Sequence, residues 1–277
     1  MNSTVKRSIF GVLFLAVMLG GLLFYQIAFV ILFAFITAVM LYEFYKMTMG
    51  NAYKNIQYTA ILFGTLIFLG GYLYFFGKQD LMEWVCEAII LVLGLMICTI
   101  VDRNHAEFLK TGYLYAGLVY IALPLALSNA VVSVTGEYSG LLMVSFFCII
   151  WASDVGAYCF GMLLGQKIWP AKMCPAISPK KSWAGFIGGL LMAMLAGAIL
   201  HWTVLWSFPM VHCLAVSAIM HVLGVLGDLF ESLWKRATGI KDSGNIIPGH
   251  GGLMDRFDSA LFAIPAGFIY LLTLGLI

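Results

Sequence analysis

The sequence predicts an all-α integral membrane protein, a polytopic bundle of about nine transmembrane helices. The 277 residues are 62% hydrophobic and 10% charged, whereas a typical soluble domain has about 25% charged residues. The mean hydropathy is +0.99, and apolar runs long enough to cross a bilayer as helices recur along the whole chain. We expect a single membrane domain over residues 1–277, with N-terminal helices in 1–135 and C-terminal helices and cytoplasmic loops in 136–277.

Nine apolar runs are the predicted transmembrane helices. The first follows Lys6 and Arg7, as in a signal peptide, but no small-residue cleavage site comes after it, so we interpret it as a retained helix. The eighth is expected to continue as a helix beyond the hydrocarbon, through Glu231 to Arg236. The predicted spans are residues 8–25, 28–45, 57–76, 82–101, 112–133, 139–163, 184–202, 206–230 and 259–277.

The basic residues predict how these helices are oriented. With nine spans and a cytoplasmic N-terminus, 14 of the 15 Lys and Arg residues fall in cytoplasmic segments, and only Lys78 falls on the other side. Cytoplasmic loops of membrane proteins carry an excess of Lys and Arg. We therefore predict a cytoplasmic N-terminus and a C-terminus on the far side.

The most polar stretch of the chain, residues 232–258, is called here the signature segment. It lies between two strongly apolar runs and contains seven charged residues, several glycines and Pro248. Glycines let backbone N–H groups approach an oxyanion, and Lys or Arg neutralise it. Aspartates repel a phosphate unless a divalent cation lies between them. The segment predicts a metal-dependent phosphoryl or nucleotidyl transfer site, and a solvated loop between helices is the alternative.

Acidic residues at the ends of two apolar runs are further candidates, because ionisable groups inside a membrane are costly. Asp154 follows one run and Asp228 ends another. On a helix, Asp228 and Glu231 share one face with His221, two turns back. The structural alternatives are a salt bridge from Glu231 to Lys235, a water-facing carboxylate for Asp228 and a hydrogen-bonded bundle histidine for His221.

A second basic cluster precedes the seventh span and contains Ser178, Lys180 and Lys181. Together with the signature segment on the same membrane face, it would give a phosphate site two basic sides. The alternative is a simple signal for membrane orientation.

The pattern S-x-x-K-R-x4-K-D-x-G-x2-I-P-x-H-G-G-L-x-D-R-F-D, from Ser232 to Asp258, resembles the signature of phosphatidate cytidylyltransferases, also called CDP-diacylglycerol synthases. Three other motifs resemble the same family: residues 154–158 (DVGAY), 177–182 (ISPKKS) and 227–232 (GDLFES). The motifs cover the C-terminal half, and the N-terminal spans match only in length and hydrophobicity. Two positions depart from the family pattern: Trp234 replaces an aliphatic residue or Phe, and Ala184 replaces a Glu.

The resemblance implies the reaction of CTP with phosphatidate to give CDP-diacylglycerol and pyrophosphate. It implies a Mg²⁺ cofactor, and sites with one or with two cations are both compatible with it. It also implies a homodimer in the bacterial cytoplasmic (inner) membrane, with its active-site loops in the cytoplasm. The expected partners are CTP, phosphatidate and membrane lipids, and no nucleic acid.

The resemblance also places the metal at Asp228 and Asp255. We predict charge neutralisation and positioning as the main sources of catalysis. The predicted catalytic residues are Asp228, Asp255, Lys235, Arg236, His250 and Asp258. The predicted substrate-binding residues are Ser178, Lys180, Lys181, Lys241, Arg256, Gly251, Gly252, Asp154 and Glu231.

Other functions remain as alternatives. A related CTP-dependent membrane lipid enzyme, such as a polyprenol kinase-like enzyme or an archaeal-type lipid cytidylyltransferase, would differ in its acceptor. An ion-coupled transporter also carries acids within the membrane, but here they cluster at one face and no pair of interrupted helices occurs in corresponding halves. A catalytically silent scaffold is disfavoured by the intact acidic and basic motif.

Overall fold

The computed structural model describes residues 3–101, 105–165, 168–203, 205–244, 246 and 251–277. This part of the chain is helical apart from one two-stranded sheet. A 3₁₀ segment, His105–Thr111, precedes α5, and a π-helical segment, Leu118–Ala122, joins α5 to α6. The α-helices are α1 Ser3–Leu23, α2 Gln26–Met49, α3 Lys54–Phe75, α4 Leu81–Val101, α5 Gly112–Gly117, α6 Leu123–Val132, α7 Leu141–Leu163, α8 Trp183–Trp202, α9 Met210–Ala237, α10 Met254–Phe257 and α11 Ala260–Thr273.

The predicted fold class is confirmed: the chain is an all-α polytopic membrane protein. Within the described residues, seven helical segments are long and apolar enough to cross a membrane. They are Gln26–Met49, Lys54–Phe75, Leu81–Val101, Glu107–Val132, Leu141–Leu163, Trp183–Trp202 and Met210–Ala237. The last of these continues to Ala237, as expected for the eighth span.

The first and ninth predicted spans are also helices, but shorter apolar ones. The apolar part of α1 is Ile9–Leu23, and α11 has 14 residues. At 1.5 Å per residue α11 is about 21 Å long, less than the roughly 30 Å of a hydrocarbon core. The count of nine membrane crossings therefore stays a prediction for these two helices.

The chain divides into two compact units. The first unit comprises residues 1–140 and 238–256, and the second comprises 141–237 and 257–277. Most of the signature segment, however, groups with the N-terminal helices rather than with the C-terminal half.

In the first unit, α3 packs against α2, α4 and α6. The core is aromatic: Phe29, Phe33, Phe44 and Phe68 are fully buried. The buried Tyr45 hydroxyl donates a hydrogen bond to the carbonyl of Leu114, at 2.8 Å. These contacts pack α2 into the core of the first unit.

In the second unit, α8 packs against both α7 and α9 because glycines allow their backbones to approach closely. A Cβ at Gly156 of α7 would lie 2.6 Å from the carbonyl oxygen of Gly188. A Cβ at Gly185 would lie 2.8 Å from the carbonyl oxygen of Ala157. Side chains at these positions would force α7 and α8 apart.

A small antiparallel hairpin precedes α8. Its strands are β1 Lys172–Cys174 and β2 Ser178–Ser182, with Lys172 opposite Ser182. It lies between the sixth and seventh predicted spans. Because β2 runs directly into α8, the hairpin fixes the basic residues of β2 beside the N-terminus of that helix.

Candidate active site

A cavity of about 300 Å³ lies within the second unit. It is bordered by α7, the hairpin, the first turn of α8, and α9. Four predicted site residues line it: Asp154, Lys180, Lys181 and Asp228. The structure therefore brings together the DVGAY, ISPKKS and GDLFES motifs, which are far apart in the sequence.

Lys181 and Asp228 form an ion pair at the wall of this cavity. The Lys181 Nζ lies 2.8 Å from Asp228 Oδ2, with the two side chains 19% and 35% exposed. The same ammonium donates to the carbonyl of Val225 at 3.1 Å, and the Ser232 hydroxyl donates to Asp228 Oδ1 at 3.3 Å. Asp228 is therefore paired and oriented toward the cavity, and is more than a water-facing carboxylate at a helix end.

The N-terminal turn of α8 also borders the cavity, through Ser182, Gly185 and Phe186. Ser182 is the N-cap residue, and its hydroxyl oxygen accepts a hydrogen bond from the Gly185 N–H at 3.1 Å. A helix N-terminus favours anions because its N–H groups lack helical partners and its dipole is positive there. This positive end adds to the charges of Lys180 and Lys181.

Asp258 lies between α10 and α11, and its Oδ1 accepts a hydrogen bond from the Ser259 N–H at 2.6 Å. Burial raises the pKa of the Asp258 carboxyl well above its usual range, and the negative charges of Asp228, Glu231 and Asp154 raise it further. Both effects disfavour the ionised form of Asp258, and burial is the larger of the two.

Gly227 explains how Asp258 comes close to α9. A Cβ at Gly227 would lie 2.5 Å from the Asp258 carbonyl oxygen. The glycine that precedes Asp228 in the GDLFES motif thus allows the turn containing Asp258 to approach the helix.

Lys235 and Glu231 form a second, buried ion pair, with Lys235 Nζ 2.7 Å from Glu231 Oε2. Glu231 is 0% and Lys235 is 9% exposed. The structural alternative for Glu231, the salt bridge one helical turn away, is therefore present. The predicted catalytic role of Lys235 and the substrate-binding role of Glu231 stay predictions.

Three further residues of the second unit were considered in the sequence: two of them, Arg236 and Ser178, lie at the hairpin, and the third, His221, lies within α9. Arg236 is exposed, and its Nε donates to the carbonyl of Ile177 at 3.2 Å, which ties the end of α9 to the hairpin. Ser178 is partly buried on β2. His221 is buried, with its Nδ1 2.7 Å from the hydroxyl of the cavity-lining Ser153, as expected for a hydrogen-bonded bundle histidine.

Asp255, the other predicted metal ligand, belongs to the first unit. Its Oδ2 accepts hydrogen bonds from the Gly252 N–H at 2.8 Å, the Ser243 hydroxyl at 3.0 Å and the Ser243 N–H at 3.1 Å. Gly251 has a φ of +86°, a conformation that favours glycine. The two glycines of the signature therefore shape the loop around Asp255, and the Gly252 N–H donates to this carboxylate.

Glu43 of α2 is a residue that the sequence reasoning missed. It is 2% exposed, and its carboxylate accepts hydrogen bonds from the N–H groups of Leu253 and Met254, at 3.1 and 2.8 Å. An acid within the apolar run 28–45 was the available signal, because ionisable residues within a membrane span are functional candidates.

The other predicted residues of the signature segment show less. Lys241 and Arg256 are exposed, and their roles in substrate binding stay predictions. His250 lies outside the described residues.

Comparison with known proteins identifies the family. The model of the Cytidylyltransferase family matches residues 5–274. The chain is 33% identical over 273 residues to a phosphatidate cytidylyltransferase of Bacillus subtilis (strain 168), covering 96% of each chain. It is 36% identical over 196 residues to a phosphatidate cytidylyltransferase of Staphylococcus epidermidis, covering 68% of this chain and 71% of the relative.

The chain belongs to the cytidylyltransferase family. The family resemblance of the signature segment is thereby confirmed. In this cytidylyltransferase Ala184, one of the two departures from the expected pattern, is 3% exposed in the first turn of α8. The small side chain fits this buried position, and the acids that border the cavity are Asp154 and Asp228.

Proposed function

We propose that this cytidylyltransferase transfers the cytidylyl group of CTP to phosphatidate, giving CDP-diacylglycerol and pyrophosphate for phospholipid synthesis. The main support is the cavity where Lys180, Lys181 and the N-terminus of α8 lie beside Asp228. The relatives that match over most of their length have this activity in their names. Lysines and a helix N-terminus suit phosphate groups, and carboxylates suit a cation that accompanies them.

The two lysines have distinct parts in this proposal. Lys180 is exposed and is available to a nucleotide phosphate from solvent. Lys181 is held by Asp228 and the Val225 carbonyl, so it presents a positive charge at a fixed position. Fixed charges stabilise charge that develops during phosphoryl transfer because they need no reorganisation.

A Mg²⁺ ion fits the carboxylates of the second unit. Among the residues that the structure describes, no three His, Cys, Asp or Glu side chains form a metal-binding group, but Mg²⁺ is commonly held by one or two carboxylates together with substrate phosphates. Asp228 would be one ligand, and Asp258, whose ionisation its acidic neighbours oppose, would be a second or would orient the first. Asp255 is proposed as a further ligand on the sequence signature alone.

When bound, the cation would neutralise phosphate charge, and the chain's own residues would do the positioning. An oxygen of the phosphatidate phosphate forms a bond to the α-phosphorus of CTP, and the bond from that phosphorus to the β-phosphate oxygen breaks, so pyrophosphate leaves with the electron pair. A phosphate monoester with a second pKa near 6 is largely ionised at neutral pH. The reaction therefore needs no strong general base.

The proposed membrane arrangement follows the basic residues. A cytoplasmic N-terminus places the hairpin and the signature segment in the cytoplasm, where CTP is found. The acyl chains of phosphatidate would stay in the bilayer while its headgroup enters the cavity. A homodimer in a bacterial inner membrane remains part of this proposal.

The test uses purified protein in detergent–lipid micelles with α-labelled CTP, phosphatidate and Mg²⁺. We expect label to enter the lipid phase with the wild type, and to stay in water when Mg²⁺ is chelated or when Asp228→Asn is used. Transfer only to another lipid, such as a polyprenyl phosphate, would contradict the proposed acceptor. No consumption of CTP with any acceptor would overturn the enzyme proposal and favour transport or a scaffold.

A further inference from the structure

A buried carboxylate on a transmembrane helix holds the signature loop from within the first unit. Glu43 lies six residues before the end of α2. It accepts hydrogen bonds from Leu253 and Met254, which come 210 and 211 residues later in the chain. We infer that Glu43 is a positioning residue for cytidylyl transfer, an inference that rests on the proposed function. It acts by fixing the loop that presents Asp255.

The geometry matches the two oxygens of Glu43 to two consecutive backbone donors. Oε1 accepts from the Leu253 N–H at 3.1 Å, and Oε2 accepts from the Met254 N–H at 2.8 Å. Leu253 and Met254 are themselves buried, so water is a poor substitute for this acceptor. Buried N–H groups without acceptors are costly.

The loop closes tightly around the Glu43 carboxylate. A Cβ at Gly252 would collide with the Ser243 hydroxyl and lie 2.6 Å from Glu43 Oε2, and a Cβ at Gly244 would also collide with the Glu43 carboxylate. Two glycines of the signature segment are thus explained by contact with an acid on α2.

Ser243 connects Glu43 to Asp255. Its hydroxyl oxygen lies 3.0 Å from Asp255 Oδ2 and 3.4 Å from Glu43 Oε2. A hydroxyl has one proton to donate, and the shorter distance favours Asp255 as the acceptor. Asp255 also accepts from the Gly252 N–H, the amide just before the two that Glu43 holds. Moving the Gly252–Met254 backbone would therefore move a donor away from Asp255.

Glutamine tests this arrangement with little change in shape. Gln has one acceptor oxygen and an NH₂ donor where Glu has two acceptor oxygens. One of the two backbone N–H groups would then face another donor. The Glu43→Gln variant therefore removes the acceptor pattern while retaining most of the packing.

Thr37→Val is the matched control on the same helix. Thr37 is 0% exposed, and its hydroxyl donates to the Phe33 carbonyl within α2. This variant perturbs a buried polar group of α2 without touching the signature segment.

The experiment combines hydrogen–deuterium exchange, without substrate, with steady-state kinetics. In Glu43→Gln we expect faster exchange in peptides that contain Leu253 and Met254, and unchanged exchange in α3. We expect kcat to fall roughly 10- to 100-fold, the usual effect of removing a group that orients a metal-ligand residue, with the KM for CTP within about threefold. Thr37→Val should show neither change.

Unchanged exchange at residues 251–257 together with full kcat in Glu43→Gln would overturn the inference. If Glu43→Gln does not fold, Ser243→Ala is the second variant: it should lower kcat without a change in thermal stability, and an unaltered kcat would count against the inference. If the wild type transfers no label to phosphatidate, the proposed function is overturned instead. The two failures can be told apart, because the exchange experiment contains no substrate and reports on the loop alone.

Discussion

Two carboxylate clusters in this protein are held by different kinds of donor. The loop cluster, Glu43 and Asp255 in the first unit, accepts hydrogen bonds from backbone N–H groups and the Ser243 hydroxyl. The cavity cluster lies in the second unit, and two of its members are paired with lysines. Its members are Asp154, Asp228, Glu231 and Asp258.

The difference indicates a division of work between the clusters. Backbone donors are fixed by the chain, so they hold the loop that presents Asp255 in one shape. The pair of Lys181 and Asp228 is partly exposed, so a phosphate can reach the ammonium and a cation can reach the carboxylate while Lys181 stays in its fixed position. Glu43 of the loop cluster thus positions the loop, and the cavity cluster binds the substrate phosphates and their cation.

The largest expected loss of activity comes from a substitution in the cavity cluster. Asp228→Asn should lower transfer of label from CTP to phosphatidate by about 10³-fold, or about 4 kcal/mol, because it removes the charge that faces Lys181. The exposed Asp80 supplies the control: Asp80→Asn should stay within about twofold of the wild type. Equal activity of wild type and Asp228→Asn would remove Asp228 from the mechanism.

A second substitution tests whether the buried ion pair of Lys235 and Glu231 stabilises the folded protein. Lys235→Met should destabilise the folded protein by about 3 kcal/mol, because Glu231 would lose its paired cation in a buried position. The double variant Glu231→Gln/Lys235→Met should recover most of that loss. Thermal unfolding in detergent checks both. Unchanged stability together with lost activity would support a catalytic Lys235 instead.

A smaller effect concerns the approach of Asp258 to α9. Gly227→Ala should destabilise the protein by about 1–3 kcal/mol, since the new methyl group meets the Asp258 carbonyl, and it should lower activity by displacing that residue. Gly224→Ala, one turn earlier, is the matched control, because its Cβ would have only ordinary contacts starting at 3.6 Å. If both variants behave alike in unfolding and transfer assays, the close approach has no importance for the site.

Much of the fold could be predicted because hydrophobic runs report directly on membrane helices. Run length alone, however, could not show that α11 stops after 14 residues. The motif residues Asp154, Lys181 and Asp228 were predicted from their chemistry, and the cavity that unites them depends on glycine contacts between α7 and α8. Glu43 could be recognised as a functional candidate from its place in an apolar run, but its contact with a loop about 210 residues away could not be read from any local pattern.

Equilibrium binding of CTP in the presence of Mg²⁺ is the most direct test of whether the cavity cluster binds the substrate while Glu43 only positions the loop. The wild type is compared with Lys181→Met, with Glu43→Gln, and with Lys172→Met as a control, since Lys172 is exposed on the neighbouring strand. We predict at least about tenfold weaker binding, or about 1.4 kcal/mol, for Lys181→Met alone. Undiminished binding by Lys181→Met, or an equal loss in Glu43→Gln, would contradict it.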